Sequence, residues 1–170
     1  MSNRDRALYQ RMFRGFRTQA TLRLAATPIV GFRSFREEEV RSLERSLGLR
    51  LPEAYRAFLT TMGRSAGDLF QDVTITFRET GDLLRLQDRA RSEISEAGRP
   101  TTIPPRAYFF DHYLDSQFGF FVCDEDDEDP LTYNFEFGNP ELDPPVPVVR
   151  FTDVIRTALD EYRGPRKSFG

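Results

Sequence analysis

The sequence predicts a single α+β domain, a mainly antiparallel sheet with helices packed on one side. The first half places apolar residues at helical spacing, whereas the second half alternates apolar and polar residues at period two. Helical spacing then returns from Phe151 to Tyr162. Helices first, a strand block with short connections and a closing helix together imply antiparallel pairing within one α+β layer arrangement. With 170 residues, 39% hydrophobic content and 16 phenylalanines, the chain is long enough to bury one core of its own.

The first expected element is a basic amphipathic helix over residues 6–17, with Leu8, Met12 and Phe16 on one side beside Tyr9 and Phe13. Arg11, Arg14 and Arg17 lie between them. Such a segment resembles a membrane-surface helix or a transit peptide in composition, or it is an extra helix that packs its aromatic face on the domain. A helix of three turns needs that tertiary support to persist.

Ser34 with Glu37 three residues on reads as a capping box, starting a helix that runs to about Leu47. A second helix follows almost at once, with Pro52 expected at its first position and Glu53 adding negative charge at the positive end of the dipole. Tyr55, Phe58, Leu59 and Met62 form its apolar stripe, facing Val40, Leu43 and Leu47, and Gly63 is expected to end it in a left-handed conformation. Val73, Ile75 and Phe77 alternate with threonines as a half-buried strand, and Thr80–Ala97 returns to helical spacing before Gly98 and Pro100.

Four strands are expected after that: Ala107–Phe110, Phe118–Cys123, Leu131–Phe137 and Val146–Arg150. Leu131, Tyr133, Phe135 and Phe137 alternate with Thr132, Asn134 and Glu136. The closing helix presents Ile155, Ala158, Leu159 and Tyr162 as one stripe. The proline-rich piece from Pro140 to Pro147 is an edge connection.

Charge is distributed unevenly. Residues 1–36 hold eight arginines against Asp5, whereas residues 111–143 hold eleven acids and no Lys or Arg, although the net charge is only −3. An asymmetry of this size bears on partners and association rates, not on fold. One cysteine, Cys123, excludes an intrachain disulfide and suits a reducing compartment; a cytoplasmic location is expected. No run of 18 apolar residues is present, so no membrane span is expected, and the first residues lack a secretory h-region.

Little of the usual chemistry is present. His112 and Cys123 are the only histidine and cysteine, and Cys123 ends the apolar run Phe118–Val122, where a cysteine acts as a small hydrophobe. No nucleophile elbow, phosphate-binding glycine loop or zinc-spaced Cys/His set occurs. Catalytic, cofactor and metal residues are therefore expected to be none.

The dense polar feature is Asp124-Glu125-Asp126-Asp127-Glu128-Asp129, closed by Pro130, at the tip of a predicted hairpin. Three readings stand beside each other. A calcium loop would lack its turn glycine and distal bidentate Glu. A solvated acidic tip needs no function, and a partner-binding surface would offer fixed negative charge to a basic protein. A paired-carboxylate hydrolase would need two carboxyls in different environments, which a contiguous exposed run does not provide.

The block Leu49-Arg50-Leu51-Pro52-Glu53-Ala54-Tyr55-Arg56-Ala57-Phe58-Leu59 with Gly63 resembles the signature of the SUKH superfamily, the Smi/Knr-type domain. Glu37, Val40, Leu43, Glu44 and Leu47 resemble its first helix, Ile103-Pro104-Pro105 the lead-in to its central strands, and Phe151–Tyr162 its closing helix. The resemblance divides the chain into a basic N-terminal extension (1–33, expected helical), a SUKH-like domain (34–163) and a flexible tail (164–170). It implies a non-enzymatic bacterial immunity protein that binds a cognate toxin, with a basic nuclease as the natural electrostatic match and no direct contact with nucleic acid. Asp124, Glu125, Asp126, Asp127, Glu128, Asp129 and Tyr133 are then the expected partner-binding residues. The alternative is a regulatory or scaffold module of the same fold that uses the basic N-terminal helix.

Overall fold

The computed structural model describes residues 3–24, 31–67, 69–70, 73–97, 103–113, 117–124, 126–136 and 145–161. Five helices and four strands occur among them: α1 (Asn3–Leu24), α2 (Glu37–Leu47), α3 (Glu53–Met62), α4 (Thr80–Glu96), β1 (Ala107–Tyr113), β2 (Gln117–Val122), β3 (Leu131–Glu136), β4 (Pro147–Arg150) and α5 (Phe151–Glu161). The strands form one antiparallel sheet in the order β1-β2-β3-β4, so each pairs with its sequence neighbour. This is the α+β domain that the two periodicities predict. The expected tail at 164–170, the stripe residue Tyr162, Phe137 and Glu125 lie outside the described residues.

The core is built from aromatic rings. Tyr108, Phe110 and Phe121 line one face of the sheet and meet Tyr55 and Phe58 of α3 and Phe151 of α5, all essentially inaccessible to solvent. Phe151 stands edge-on to Tyr55, Phe58, Phe110 and Phe121 at centroid distances of 5.2–6.0 Å, the T-shaped geometry that ring quadrupoles favour. α1 is longer than the predicted 6–17 segment and is built into this core. Its Phe13 is fully buried, 6.0 Å from Phe58 and 6.4 Å from Phe151.

The outer edge of β1 is closed by side chains of α4. The Gln87 amide accepts from Phe109 N–H (2.8 Å) and donates to Phe109 C=O (2.7 Å), and Arg91 donates to Ala107 C=O (2.7 Å). Further along, Thr74 exchanges two backbone bonds with His112 (3.0 and 3.2 Å). A strand edge that would otherwise invite pairing is thereby satisfied. The predicted strand at Val73–Phe77 is reduced to this single bridge, because the β1 edge beyond it is already occupied by α4. Ile75 and Phe77 are nonetheless buried, as their alternation predicts.

Three local expectations are corrected. α2 starts at Glu37, with Arg36 as N-cap and the Glu39 carboxylate accepting Arg36 N–H (2.8 Å), so the box is displaced from Ser34/Glu37 to Arg36/Glu39. Pro52 sits one place earlier than predicted, as the N-cap of α3 with ψ 145°. The left-handed glycine is Gly48 (φ 63°) at the end of α2, whereas Gly63 has φ −65°. Gly63 is required for close approach, since a Cβ there would lie 2.6 Å from the Leu59 Cα.

Candidate partner-binding site

The acidic run connects β2 to β3, and the structure separates its members into two kinds. Asp124 and Asp126 are exposed, with Asp126 N–H donating to the Asp124 carboxylate (3.2 Å). Asp127 is about two-fifths exposed and pairs with Arg150 of β4 (3.2 Å).

Glu128 and Asp129 turn inward. Glu128 accepts Glu53 N–H on its side chain (3.0 Å) and Ala54 N–H on its backbone carbonyl (2.9 Å). Pro130 C=O accepts Phe151 N–H (2.9 Å), and the Asp129 carboxylate accepts both Thr152 N–H (3.0 Å) and the Thr152 hydroxyl (2.6 Å). Residues 128–130 therefore supply acceptors to the first N–H donors of α3 and of α5, groups that no intrahelical carbonyl can reach. Two carboxylates at two helix N-termini are also favoured by the helix dipoles.

This corrects the expectation of six similar, solvated carboxylates with no basic neighbour. Arg50 pairs with Glu128 (3.0 Å), and Arg150 pairs with Asp127 and also donates to Asp129 C=O. Sequence reasoning missed both cations because they lie 78 and 23 residues from their partners.

Behind the loop lies an ionic cluster centred on the signature block. Glu53 is 1% exposed and receives Arg6 of α1 through two nitrogens (2.9 and 3.2 Å), with Arg50 at 3.6 Å and Arg56 at 3.8 Å. Arg56, itself 6% exposed, donates to Glu37 and Glu44 of α2. Glu44 also accepts Leu51 N–H (2.9 Å). Buried charges persist only when paired and hydrogen-bonded, and here α1, α2, α3 and the acidic loop share one such cluster. The expected dipole role of Glu53 is therefore joined by a larger one as the hub of these contacts.

Tyr133 is half-buried on β3 and stacks on Phe120 at 5.2 Å with rings 16° apart. Leu131, two residues away on the same face, is 38% exposed and pairs across the ladder with Arg150. Val148 and Val149 of β4 (55% and 38%) and Val146 just before it (52%) add exposed apolar surface. The acid tip thus adjoins Leu131 through the Asp127–Arg150 pair.

The residues weighed for catalysis are kept apart. His112 pairs with Phe118 near one end of the β1–β2 hairpin, while Cys123 N–H bonds Arg106 at the other. Six residues of strand separate 106 from 112, or about 20 Å. Burial pushes the Cys123 thiol up to about 12, so it stays protonated and unreactive near neutrality. Among the described residues, no His/Cys/Asp/Glu group is arranged to hold a metal ion.

The model of the SMI1 / KNR4 family (SUKH-1) matches residues 35–149, well over half of the chain. The chain belongs to this family. No curated protein matches it. The SUKH-1 match begins at Phe35 and ends within β4, so α1 and α5 lie outside it although both contribute to the same aromatic core. A SUKH-1 domain is consistent with an immunity-type protein. Among the described residues no helix is long and apolar enough to cross a membrane.

Proposed function

We propose that this SUKH-1 protein is a non-enzymatic, cytoplasmic immunity protein that neutralises a cognate toxin by direct protein–protein contact. The observation that carries the reading is the exposed acid tip set beside Leu131 and Tyr133 on a rigid sheet. An interface of this kind needs an apolar, aromatic centre and a charged rim. Asp124, Asp126 and Asp127 supply the rim, together with Glu125 by its place in the run, and Tyr133 supplies the anchor. Glu128 and Asp129 act by holding the loop against α3 and α5. A basic toxin, such as a nuclease whose groove is built for phosphates, is the electrostatic match.

The test is capture of the toxin encoded beside this gene, by co-purification and by rescue of growth when both are expressed. Rescue by wild type, lost when Asp124, Asp126, Asp127 and Tyr133 are replaced, supports the reading. Full rescue by that variant, or no capture at all, contradicts it.

One observation favours the second reading, a scaffold module acting through α1. Arg11, Arg14 and Arg17 lie on the exposed side of α1, Arg14 donating to Gln10 C=O (3.2 Å) and Arg17 lying over the Phe32 ring (5.5 Å), and Arg6 pairs with Glu53. Replacing the three with glutamine would abolish partner capture under that reading and leave it intact under the first.

A further inference from the structure

We propose that the cavity floored by Asp111 and Gly119 is a binding site for one organic cation, an ammonium or guanidinium head on a short alkyl stem. The site is independent of the toxin-binding reading. It lies toward the other end of β2, five residues or about 17 Å along the strand from Asp124.

A bulge between Phe109 and Asp111 shifts the β1–β2 register and turns the Asp111 carboxyl over Gly119. Bulges of this kind re-aim side chains beside functional sites. Gly119 N–H donates to Asp111 Oδ1 at 2.6 Å, and a Cβ on residue 119 would lie only 2.3 Å from that oxygen. The glycine is thus needed to admit the carboxyl. The Gly119 N–H alone does not account for an acid here, because an asparagine carbonyl would accept the same bond without burying a charge.

The cavity measures about 290 Å³. That is near the lower end of the roughly 300–1,000 Å³ typical of small-molecule sites, a volume for a side-chain-sized ligand. Val73, Tyr113 and Phe118 give it apolar surface for an alkyl stem, and Gln117 and Asn134 add polar groups. Among the described lining residues Asp111 is the one carboxylate, and none of them is Lys or Arg. Burial raises its pKa to about 7, so the carboxylate form is held at a cost that a cation would relieve. The other titratable groups near it are the phenol of Tyr113 in the wall, the buried phenol of Tyr55 from α3, and His112 next in the chain.

The probes are methylguanidinium, n-butylammonium and the blocked peptides Gly-Arg-Gly and Gly-Lys-Gly, with tetramethylammonium as a cation lacking N–H donors. Carbon-13 NMR of the Asp111 carboxyl in wild type is the primary readout. A cation within about 4–6 Å should lower its pKa by at least one unit, and tetramethylammonium should do so least. Calorimetry should show affinity falling about tenfold per pH unit below 7, because a bound cation requires the proton to leave. Asp111→Asn should bind at least tenfold more weakly. Peptides binding more tightly than free amines would mark a partner's Arg or Lys as the source, and the reverse a free metabolite. An Asp111 resonance that titrates identically with and without every probe overturns the proposal, as does equal binding by Asp111→Asn.

Discussion

Asp129→Ala separates a loop that clamps two helices from one that merely sits in water. The substitution removes the acceptor of Thr152 N–H in the first turn of α5 and of the Thr152 hydroxyl, and Thr152 is 5% exposed. Loss of a capping acceptor costs about 1 kcal/mol, with a range of roughly 0.5–2. A buried hydroxyl left without its partner adds about 1–3 kcal/mol, and part of that overlaps with the capping loss. Together they give about 2–3 kcal/mol. For a domain of this size each kcal/mol shifts Tm by about 2–4 °C, so a fall of roughly 5–10 °C is expected. Asp126→Ala, at an exposed position with no role in either helix start, should change stability by no more than about 0.5 kcal/mol. Thermal unfolding by circular dichroism compares the two directly. Equal melting temperatures for the two variants would refute the clamp and restore the picture of six equivalent carboxylates.

Three further outcomes follow from the core, the half-buried Asp111 and α1. Phe58→Ala deletes a fully buried ring that touches Phe13, Tyr55, Phe70 and Phe151, and should cost about 3–5 kcal/mol in urea unfolding. Folded Asp111 keeps its proton to about pH 7, whereas an unfolded aspartate releases it near 3.8, so its contribution favours the native state at low pH and is lost as pH rises between those values. At 1.36 kcal/mol per unit the loss is at most roughly 4 kcal/mol, and Asp111→Asn should raise Tm at pH 8 while matching wild type at pH 4. Removing residues 1–33 strips Phe13 from the core and Arg6 from Glu53, and should lower Tm steeply while leaving toxin capture by the folded fraction intact. An unchanged Tm would make α1 a passenger.

Periodicity made most of the architecture legible. The α3 stripe Tyr55, Phe58, Leu59 and Met62 is buried, and each of the four strands lies within a few residues of its predicted limits. The strand expected at Val73–Phe77 shows the limit of that signal, since alternation reports a buried face but not whether a partner edge is free. The cap at Arg36 and the left-handed Gly48 depend on dihedral angles that several nearby residues could have adopted. In the candidate site, the exposure of Asp124 and Asp126 and the aromatic setting of Tyr133 were readable locally. The inward turn of Glu128 and Asp129 was not, because their partners are Glu53 and Thr152, brought up by the fold. Asp111 carried no sequence signal at all, standing among eleven acids from which only the bulge and Gly119 distinguish it.

The central claim is that the exposed acid tip recruits a basic toxin through long-range charge. The most direct measurement is the association rate with the basic toxin that the proposed function assigns as partner, followed by stopped flow across a salt series. Wild type is compared with a variant carrying Asp124→Asn, Asp126→Asn and Asp127→Asn. The Debye length shrinks from about 30 Å at 0.01 M to about 8 Å at physiological salt, so the wild-type rate should fall steeply as salt is raised. The neutralised variant should associate more slowly at low salt and show a flatter dependence, with little change in Tm. Rates that coincide at every ionic strength would contradict the account and place the interface elsewhere.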